Sequence, residues 1–478
     1  MKKSVAITAG VIIVGAAAWL GGTWYTGQRL AEESTVRLER LNAELARAFP
    51  DLQLRFDELS AERGFFSTHA RYALTGKTAS ARNAKDEALE FDARIDHGPL
   101  PLGALARGHF LPSMAFVQTE MVPTPSSQPA FDAAQGKNPL SGNVVLHYGG
   151  DASVQAEVPA MKYPEERAEF GGARFDGKIL KRFEGVQGEL VTEPLSVIAS
   201  KTDDAADTHI ELGKITMTVD SREGPSGLQL GTGSLKLASM TVKRENDSTV
   251  QVKDFVYHGV NKESDGLLNG ELGYTAASIL VDGAELGSQQ VTFKYARVNA
   301  AKFKAAMDLS AKLTEQNQRD GQASNGLTAE QSRQLAALGM DMLADNPTLA
   351  LDPVIWKNDK GASQLNLSVT LVAPQNPQAT GLELVRQVMQ PLDAKLVLSK
   401  PMMTALGTNV LQSQGLSPEQ AAQQVGRQIN TMAGMAQMLN LAQLQGEDLV
   451  TSLLIKNGAL TLNGKELPLD ALQGMLPH

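Results

Sequence analysis

Leu228-Gln229-Leu230-Gly231-Thr232-Gly233-Ser234-Leu235-Lys236-Leu237-Ala238-Ser239-Met240-Thr241-Val242 is the stretch that decides the fold of this chain. Apolar and polar residues alternate along it. That period of two marks a half-buried strand, because successive side chains of a strand point to opposite faces. The alternation slips once. Leu235 and Leu237 share one phase, Met240 and Val242 the other, and the next run repeats the slip between Val250/Val252 and Phe255/Tyr257. A one-residue slip turns every later side chain to the opposite face unless a bulge absorbs it. Bulges at matching places predict a long, strongly coiled antiparallel sheet.

Outward from this run, similar segments recur at Asn143–His147, Ile179–Phe183, Leu195–Ala199, His209–Val219, Val250–Tyr257 and Gln290–Ala296. Turn residues separate them, among them Gly149-Gly150-Asp151, Glu223-Gly224-Pro225, Asn246-Asp247 and Asp265-Gly266. This spacing reads as hairpins of a sheet with one wet face. Gly231-Thr232-Gly233-Ser234 reads as a turn between two strands, since it has neither the third glycine nor the following helix of a dinucleotide site. The Pro-rich segment 121–143 reads as a surface loop or internal linker.

After Asn299 the period becomes helical. Ala300–Leu313 and Thr328–Leu343 read as helices, Gln364–Val372 as a strand, and Ser417 as the N-cap of a longer helix with Pro418 in its first position. That helix carries Met432, Met435 and Met438 at three-residue spacing. They read either as an adaptable apolar lining for a ligand or as helix-on-sheet core. Asn457-Gly458 between alternating segments predicts a hairpin that pairs Leu453–Lys456 with Ala459–Leu462. The face bearing Leu460 and Leu462 is expected to pack on Met435 or Met438. The fold class is α+β, mainly β, with helices mostly in the C-terminal third. The divisions expected are residues 1–28, 29–50, 51–299 and 300–478.

The start of the chain is a different kind of segment. Lys2 and Lys3 precede Ser4–Gln28, which carries no charge, and Trp19, Trp24 and Tyr25 cluster at its far end. A membrane-spanning helix needs about 20 mostly apolar residues. Lysines stay on the cytoplasmic side, and Trp and Tyr settle at the headgroup level. The competing reading is a secretory leader cleaved at Ala16-Ala17-Ala18. It would leave Trp19 as the first residue and an uncharged stretch running on to Gln28. A retained transmembrane helix is the better reading, with residues 4–28 in the inner membrane, the N-terminus in the cytoplasm and the body in the periplasm. Just beyond it, Leu38, Leu41 and Leu45 lie in a short heptad stripe. They form either the seam of a homodimer or a helix laid on the chain's own sheet.

Composition narrows the function. There is no cysteine, which rules out disulfides, thiolate metal sites, cysteine nucleophiles and a lipid-bearing N-terminal cysteine. A formal net charge of -9 argues against nucleic acid as a partner. The seven histidines are scattered, and none shares a helical metal-ligand spacing with a second histidine or an acid. Around Ser226 the glycine pair of a nucleophile elbow is incomplete. No cofactor motif appears, and no residue stands out as catalytic.

Trp24-Tyr25-Thr26-Gly27, Glu62-Arg63-Gly64-Phe65-Phe66-Ser67 and Asn457-Gly458-Ala459-Leu460-Thr461-Leu462-Asn463-Gly464-Lys465 together resemble the YdgA family of Gram-negative envelope proteins, a family of unknown function. The resemblance runs nearly the full length. It implies an inner-membrane protein with a periplasmic body and supplies no catalytic residues. The function expected is therefore non-enzymatic: binding of an envelope protein or an apolar, lipid-like ligand in envelope maintenance. Two alternatives stand beside it. One is a periplasmic hydrolase of an envelope polymer, with its site assembled from distant strands. The other is a structural homo-oligomer.

The full-length protein is expected to keep Met1–Gln28 and to stay with the membrane through carbonate extraction, as a spanning helix does. N-terminal sequencing beginning at Trp19 would identify a cleaved leader instead. Alkaline phosphatase fused after the last residue is expected to be active, and activity only from a cytoplasmic reporter would reverse the orientation.

Overall fold

The computed structural model describes residues 23, 25–29, 36, 38–43, 45–46, 52–76, 88–165, 167–199, 207–244, 248–319, 327–376, 379, 381–457 and 459–468. The apolar segment Val5–Leu20 lies outside them. Among the described residues no helix is long and apolar enough to cross a membrane. The chain forms two compact units, Met1–Ile198 and Ala199–His478.

The first unit is built on strands β1 (Arg55–Arg63), β2 (Ser67–Thr75), β3 (Leu89–His97), β4 (Ala115–Met121), β5 (Ser141–Leu146), β6 (Ala152–Val158), β7 (Met161–Tyr163), β8 (Ala168–Phe170), β9 (Ala173–Ile179), β10 (Gly185–Thr192) and β11 (Leu195–Ala199). An antiparallel meander runs β1-β2-β3-β4-β5-β6-β9-β10. β7, β8 and β11 form a small ladder of their own. Ala70, Ala73, Phe91, Ala93 and Phe116 are buried on this sheet. Phe56 stacks on Tyr72 and Phe91 at 5.5 and 6.0 Å between ring centroids. Burial, with Glu58 beside it, pushes the Tyr72 phenol up to about 12. Ile179–Phe183 is not one strand: β9 stops at Ile179, and Lys181–Phe183 is a single 3-10 turn.

The Pro-rich segment 121–143 is an ordered connection within one sheet, because β4 and β5 on either side of it pair directly. Asn138 brackets Met121, its Nδ2 donating to the Met121 carbonyl at 2.9 Å and its Oδ1 accepting from the Met121 N–H at 3.2 Å. Buried Ser127 donates to the Val122 carbonyl at 2.8 Å. Ala133 and Ala134 close onto Met161.

The described N-terminal residues are tied to the same sheet at two places. Thr26 is buried and its Oγ1 donates to the Gly98 carbonyl at 2.9 Å. Gly27 lies so close to His97 that a Cβ there would sit 2.6 Å from the imidazole Nδ1. Further on, the Asn42 side chain meets the backbone of Phe56 on β1. Oδ1 accepts from the Phe56 N–H at 2.7 Å, and Nδ2 donates to its carbonyl at 2.9 Å.

The second unit holds β12 (Thr208–Leu212), β13 (Ile215–Glu223), β14 (Gln229–Arg244), β15 (Thr249–Ser264), β16 (Leu267–Val281), β17 (Ala284–Asn299), β18 (Thr348–Asn358), β19 (Gly361–Leu371), β20 (Met389–Ser399), β21 (Gln443–Gln445), β22 (Asp448–Lys456), β23 (Ala459–Leu462) and β24 (Lys465–Leu467). Its longer helices are α1 (Ala300–Arg319), α2 (Ala329–Met342), α3 (Gly381–Val388), α4 (Lys400–Ser413) and α5 (Pro418–Met438). β12 and β13 both pair with β14, and the antiparallel order continues β15-β16-β17-β18-β19-β20-β22-β23-β24. The change of period at Asn299 divides no units: β17 runs straight into α1 and also pairs with β18.

The parity slip is resolved differently from a pair of bulges. β14 and β15 stay in one register across it, from Met240↔Val252 to Leu237↔Phe255. β12 and β13 also keep one register on β14, from Leu212↔Met240 to Ile215↔Leu237. β14 and β15 turn over at the level where Gly213-Lys214 separates β12 from β13, with Asp254 at φ 48°. β14 and β15 gain no residue on each other there, and β12 and β13 gain none on β14, so the strong coiling expected from matched bulges in these strands loses its basis. The register shifts only further along, where β16 slips on β17 between Ala276 and Ile279, and the sheet does not close. Gly231-Thr232-Gly233 lies inside β14 and is not a turn. At Gly231, φ is 143° and a Cβ would sit 1.9 Å from the Asp220 carbonyl oxygen, so only glycine fits the ladder.

The helix ends follow their capping residues. Thr328 and Gln331 form a reciprocal capping box, and the Ser417 hydroxyl accepts from the Gln420 N–H at 3.4 Å. The C-terminal hairpin has the expected register, Leu453↔Leu462 to Lys456↔Ala459. A second turn follows, with Asn463 and Gly464 both at positive φ, 50° and 82°. The methionine expectation is corrected. Met432, Met435 and Met438 are exposed, Met438 by 74%, and the inward side of α5 is Ala421, Val425 and Ala433. Ala433 packs with Ala442 and Leu449, because the small side chain lets the helix approach the sheet closely.

Leu460 is fully buried at 0% exposure. Leu460→Ala is expected to cost about 2–5 kcal/mol, the range for emptying a buried leucine site. Leu439→Ala, at an exposed position, should leave the urea midpoint near wild type. Equal midpoints for the two variants would show that the hairpin is not part of the core.

Candidate functional site

The pairing of β13 through β20 sorts the side chains of the second unit onto two faces. Partners directly across a ladder share a face. One row reads Met217, Leu235, Tyr257, Tyr274, Val291, Val354, Leu365 and Leu396. The next reads Val219, Gly233, Gly259, Leu272, Phe293, Leu351, Leu367 and Ala394. Between Val354 and Leu351 the spacing is three. The register of β18 shifts there, and the shift keeps both side chains on the apolar face. The intervening row is polar over much of its length: Thr218, Ser234, His258, Gly273 and Thr292.

This apolar face is incompletely covered. None of the large apolar side chains in these two rows is fully buried, and Tyr257 and Leu272 are 42% and 40% exposed. Gly233 and Gly259 carry no side chain into it, and a Cβ at either would meet nothing closer than 3.8 Å. They leave a low floor beside Leu235 and Tyr257. Phe255 stacks on Tyr274 at 5.7 Å, and Phe293 tilts against Tyr295 at 6.3 Å.

Helices attach at both ends of the strands. At one end, Asn409 of α4 donates to the Glu285 carbonyl at 2.9 Å, and Met402 is buried beside Ser363. Ala433 of α5 packs near Leu398 and Leu449. At the other end, Ala300 at the start of α1 closes a cluster with Leu228 and Leu268. The Lys302 ammonium there donates to the Asp341 carbonyl at 2.7 Å.

Polar chemistry is arranged elsewhere. On β1–β4 of the first unit a shallow groove of about 460 Å³ is lined by Glu62, His69, Arg71, Asp92, Arg94 and Glu120, among others. Its two arginines are paired: Arg71 Nε donates to Asp92 at 3.1 Å, and Arg94 Nε donates to Asp96 at 3.0 Å. In the second unit, Lys294 and Asn366 converge on Asp352, with Lys294 Nζ donating at 2.9 Å. Both hydrogen bonds hold the Asp352 carboxyl below its usual value. Among the described residues no three His, Asp or Glu side chains stand together where they could hold a metal.

The sequence-derived candidates fall apart from one another. Leu38, Leu41 and Leu45 are half-buried on the segment that presents Asn42 to β1. Met432, Met435 and Met438 form an exposed ridge on α5. The open sheet face was missed as a site. Its signal is present in the alternation of β14 and β19, but the other strands of the face become visible only once register is known.

These features define a mainly β protein built on large antiparallel sheet, with an apolar face left partly open. The chain belongs to the family described as bacterial protein of unknown function DUF945, which matches residues 1–470. It is 28% identical to Protein YdgA of Escherichia coli strain K12, over 99% of this chain and 97% of that protein. It is 23% identical to the uncharacterized protein YihF of the same organism, over 96% of each. An uncharacterized protein of Haemophilus influenzae is 28% identical over 35% of this chain and 45% of its own length. No solved structure matches.

His97 supplies a pH test. Its Nδ1 lies 3.1 Å from the Phe65 carbonyl, and its Nε2 lies 2.9 Å from the Thr68 hydroxyl. The neutral ring with its proton on Nδ1 satisfies both contacts. Burial lowers its pKa below the ordinary 6.5, outweighing the Phe65 bond that raises it. The unfolded chain therefore binds the proton more readily, so the contribution is complete above about 6.5 and is lost as pH falls through the folded value. Urea midpoints measured from neutral to mildly acidic pH should fall, and His97→Gln should flatten that part of the slope. An identical slope in the variant would assign the acid sensitivity to other groups.

Proposed function

We propose that this is an inner-membrane-anchored periplasmic protein that binds an apolar, lipid-like ligand on the open face of its second unit. The observation that carries the reading is the partly exposed set Met217, Val219, Tyr257 and Leu272, continuous with the apolar rows of β17–β20. Water contact with such a face is unfavourable by about 25 cal/mol per Å². Contiguous exposed apolar surface of this kind marks binding sites more often than chance does. An acyl chain suits it better than a compact polar ligand, because the glycines lower the floor without adding hydrogen-bonding groups. The uncharged Ser4–Gln28 behind two lysines supports placement in the inner membrane with the body outside.

The test is full-length protein purified in mild detergent, with bound lipids and co-purifying proteins identified by mass spectrometry. Lipid is expected at a fixed ratio to protein. The variant Tyr257→Lys/Leu272→Lys, with an unchanged urea midpoint, should lose most of it. A fixed-ratio protein partner in place of lipid would move the reading to a scaffold. Lipid retained in full by the variant would remove this face as the site.

A further inference from the structure

The first unit's meander has one end to which the N-terminal residues are fastened. Ser67 pairs with Asp96, His97 with Ala115, and Ala115 with Leu146. The β1–β2 turn at 64–66, the β3–β4 connection at 98–114 and the β5–β6 turn at 147–151 are therefore all at that end. So is the attachment of Thr26 and Gly27 to Gly98 and His97. The apolar, uncharged stretch of sequence that ends at Gln28 meets the folded body here.

This end is also where the unit exposes its apolar side chains. Phe65, Phe66, Leu102, Phe110, Leu111 and Tyr148 are all open to solvent, with Phe110 at 72% and Leu111 at 81%. Elsewhere in the unit, among described residues, only Val36 and Leu59 are large, apolar and comparably exposed, apart from Tyr25 beside the attachment. The exposed loop is held in place and is not a loose tail. The buried carboxylate of Asp96 accepts from the Gly103 N–H at 2.8 Å, and the Ser113 N–H donates to the Pro99 carbonyl at 2.9 Å. Phe65 and Phe66 brace each other edge to face at 4.9 Å. Residues 98–114 contain no acid, and their one formal charge is Arg107, whose guanidinium lies over the Phe116 ring at 5.2 Å. A surface of aromatic and leucine side chains whose longest loop carries an arginine and no acid suits the headgroup layer of a bilayer, where aromatic rings and basic groups are at home.

We propose that this end of the sheet docks on the outer leaflet of the same membrane that holds residues 4–28. Phe110-Leu111 and Phe65-Phe66 dip into the headgroup region. The proposal rests on the anchor reading, and it goes further: the body is seated on the bilayer at two loops and does not hang from it on a tether.

The sequence has no cysteine, so single-cysteine labelling of the full-length protein is clean. Leu111→Cys and Phe66→Cys, each labelled with an environment-sensitive fluorophore, would be reconstituted into phosphatidylethanolamine/phosphatidylglycerol vesicles. Lys137→Cys serves as the control, on the connection at the opposite end of β4. The first two labels are expected to shift to the blue and to lose most of their emission to nitroxide-bearing lipids, while the control does neither. Water-like emission at all three sites, with the protein still resistant to carbonate, would overturn docking and leave the anchor standing. Release by carbonate removes the anchor. Together with unquenched labels it removes the docking as well, whereas labels still quenched would support docking without an anchor.

Discussion

The structure depends on a rule of parity. A strand presents its side chains alternately to two faces, so a sheet of many strands has an apolar face only if every strand keeps the same phase at the same level. In the second unit β14, β15 and β16 break phase together, at the level where β12 gives way to β13. Leu212 and Ile215, Met240 and Leu237, Val252 and Phe255, and Ile279 and Ala276 are each three residues apart, and each set of four lies across the ladder. Because the break is shared, the apolar set stays together on both sides of it. Had one strand alone slipped, half its leucines would face the polar row of Ser234, His258 and Thr292.

That shared phase explains why the local signals were readable. Alternation in Leu228–Val242 and in Leu365–Leu371 identified β14 and β19, and Ser417, Thr328 and Asn457 marked their helix ends and hairpin through chemistry confined to a few residues. Other elements were hidden for definite reasons. β16 has glycines where an alternating pattern would place larger residues, because a Cβ at Gly270 would sit 2.4 Å from the Val260 carbonyl and one at Gly273 would sit 2.5 Å from that of Val291. Gly231-Thr232-Gly233 has turn composition but answers a close approach of Asp220. The three methionines of α5 were misplaced because a helical stripe shows that a face exists without saying which face is inward. The alanines won that position by size.

The candidate site was the least legible part. No short motif encodes it. It consists of single residues from eight strands, many of them far apart in the chain, brought into rows by pairing. Asp352 is another such case. Its partners Lys294 and Asn366 stand on the strands to either side, and neither is near it in sequence. The division into units at Ile198 was equally unmarked, since the change from strand to helix at Asn299 is the more visible transition and yet falls inside the second unit.

The pairing of Asn42 with Phe56 bears on how the molecule avoids self-association. β1 pairs with β2 on one side, and a bare strand flank on the other would be a template for a foreign strand. A single side-chain amide offers the same donor and acceptor as a backbone peptide, and at Phe56 it occupies the place a neighbouring strand would take. The segment that leads out of the N-terminal stretch thus doubles as a stopper on the sheet's flank. A chain cut between the two would present that flank uncapped, ready to recruit its own kind.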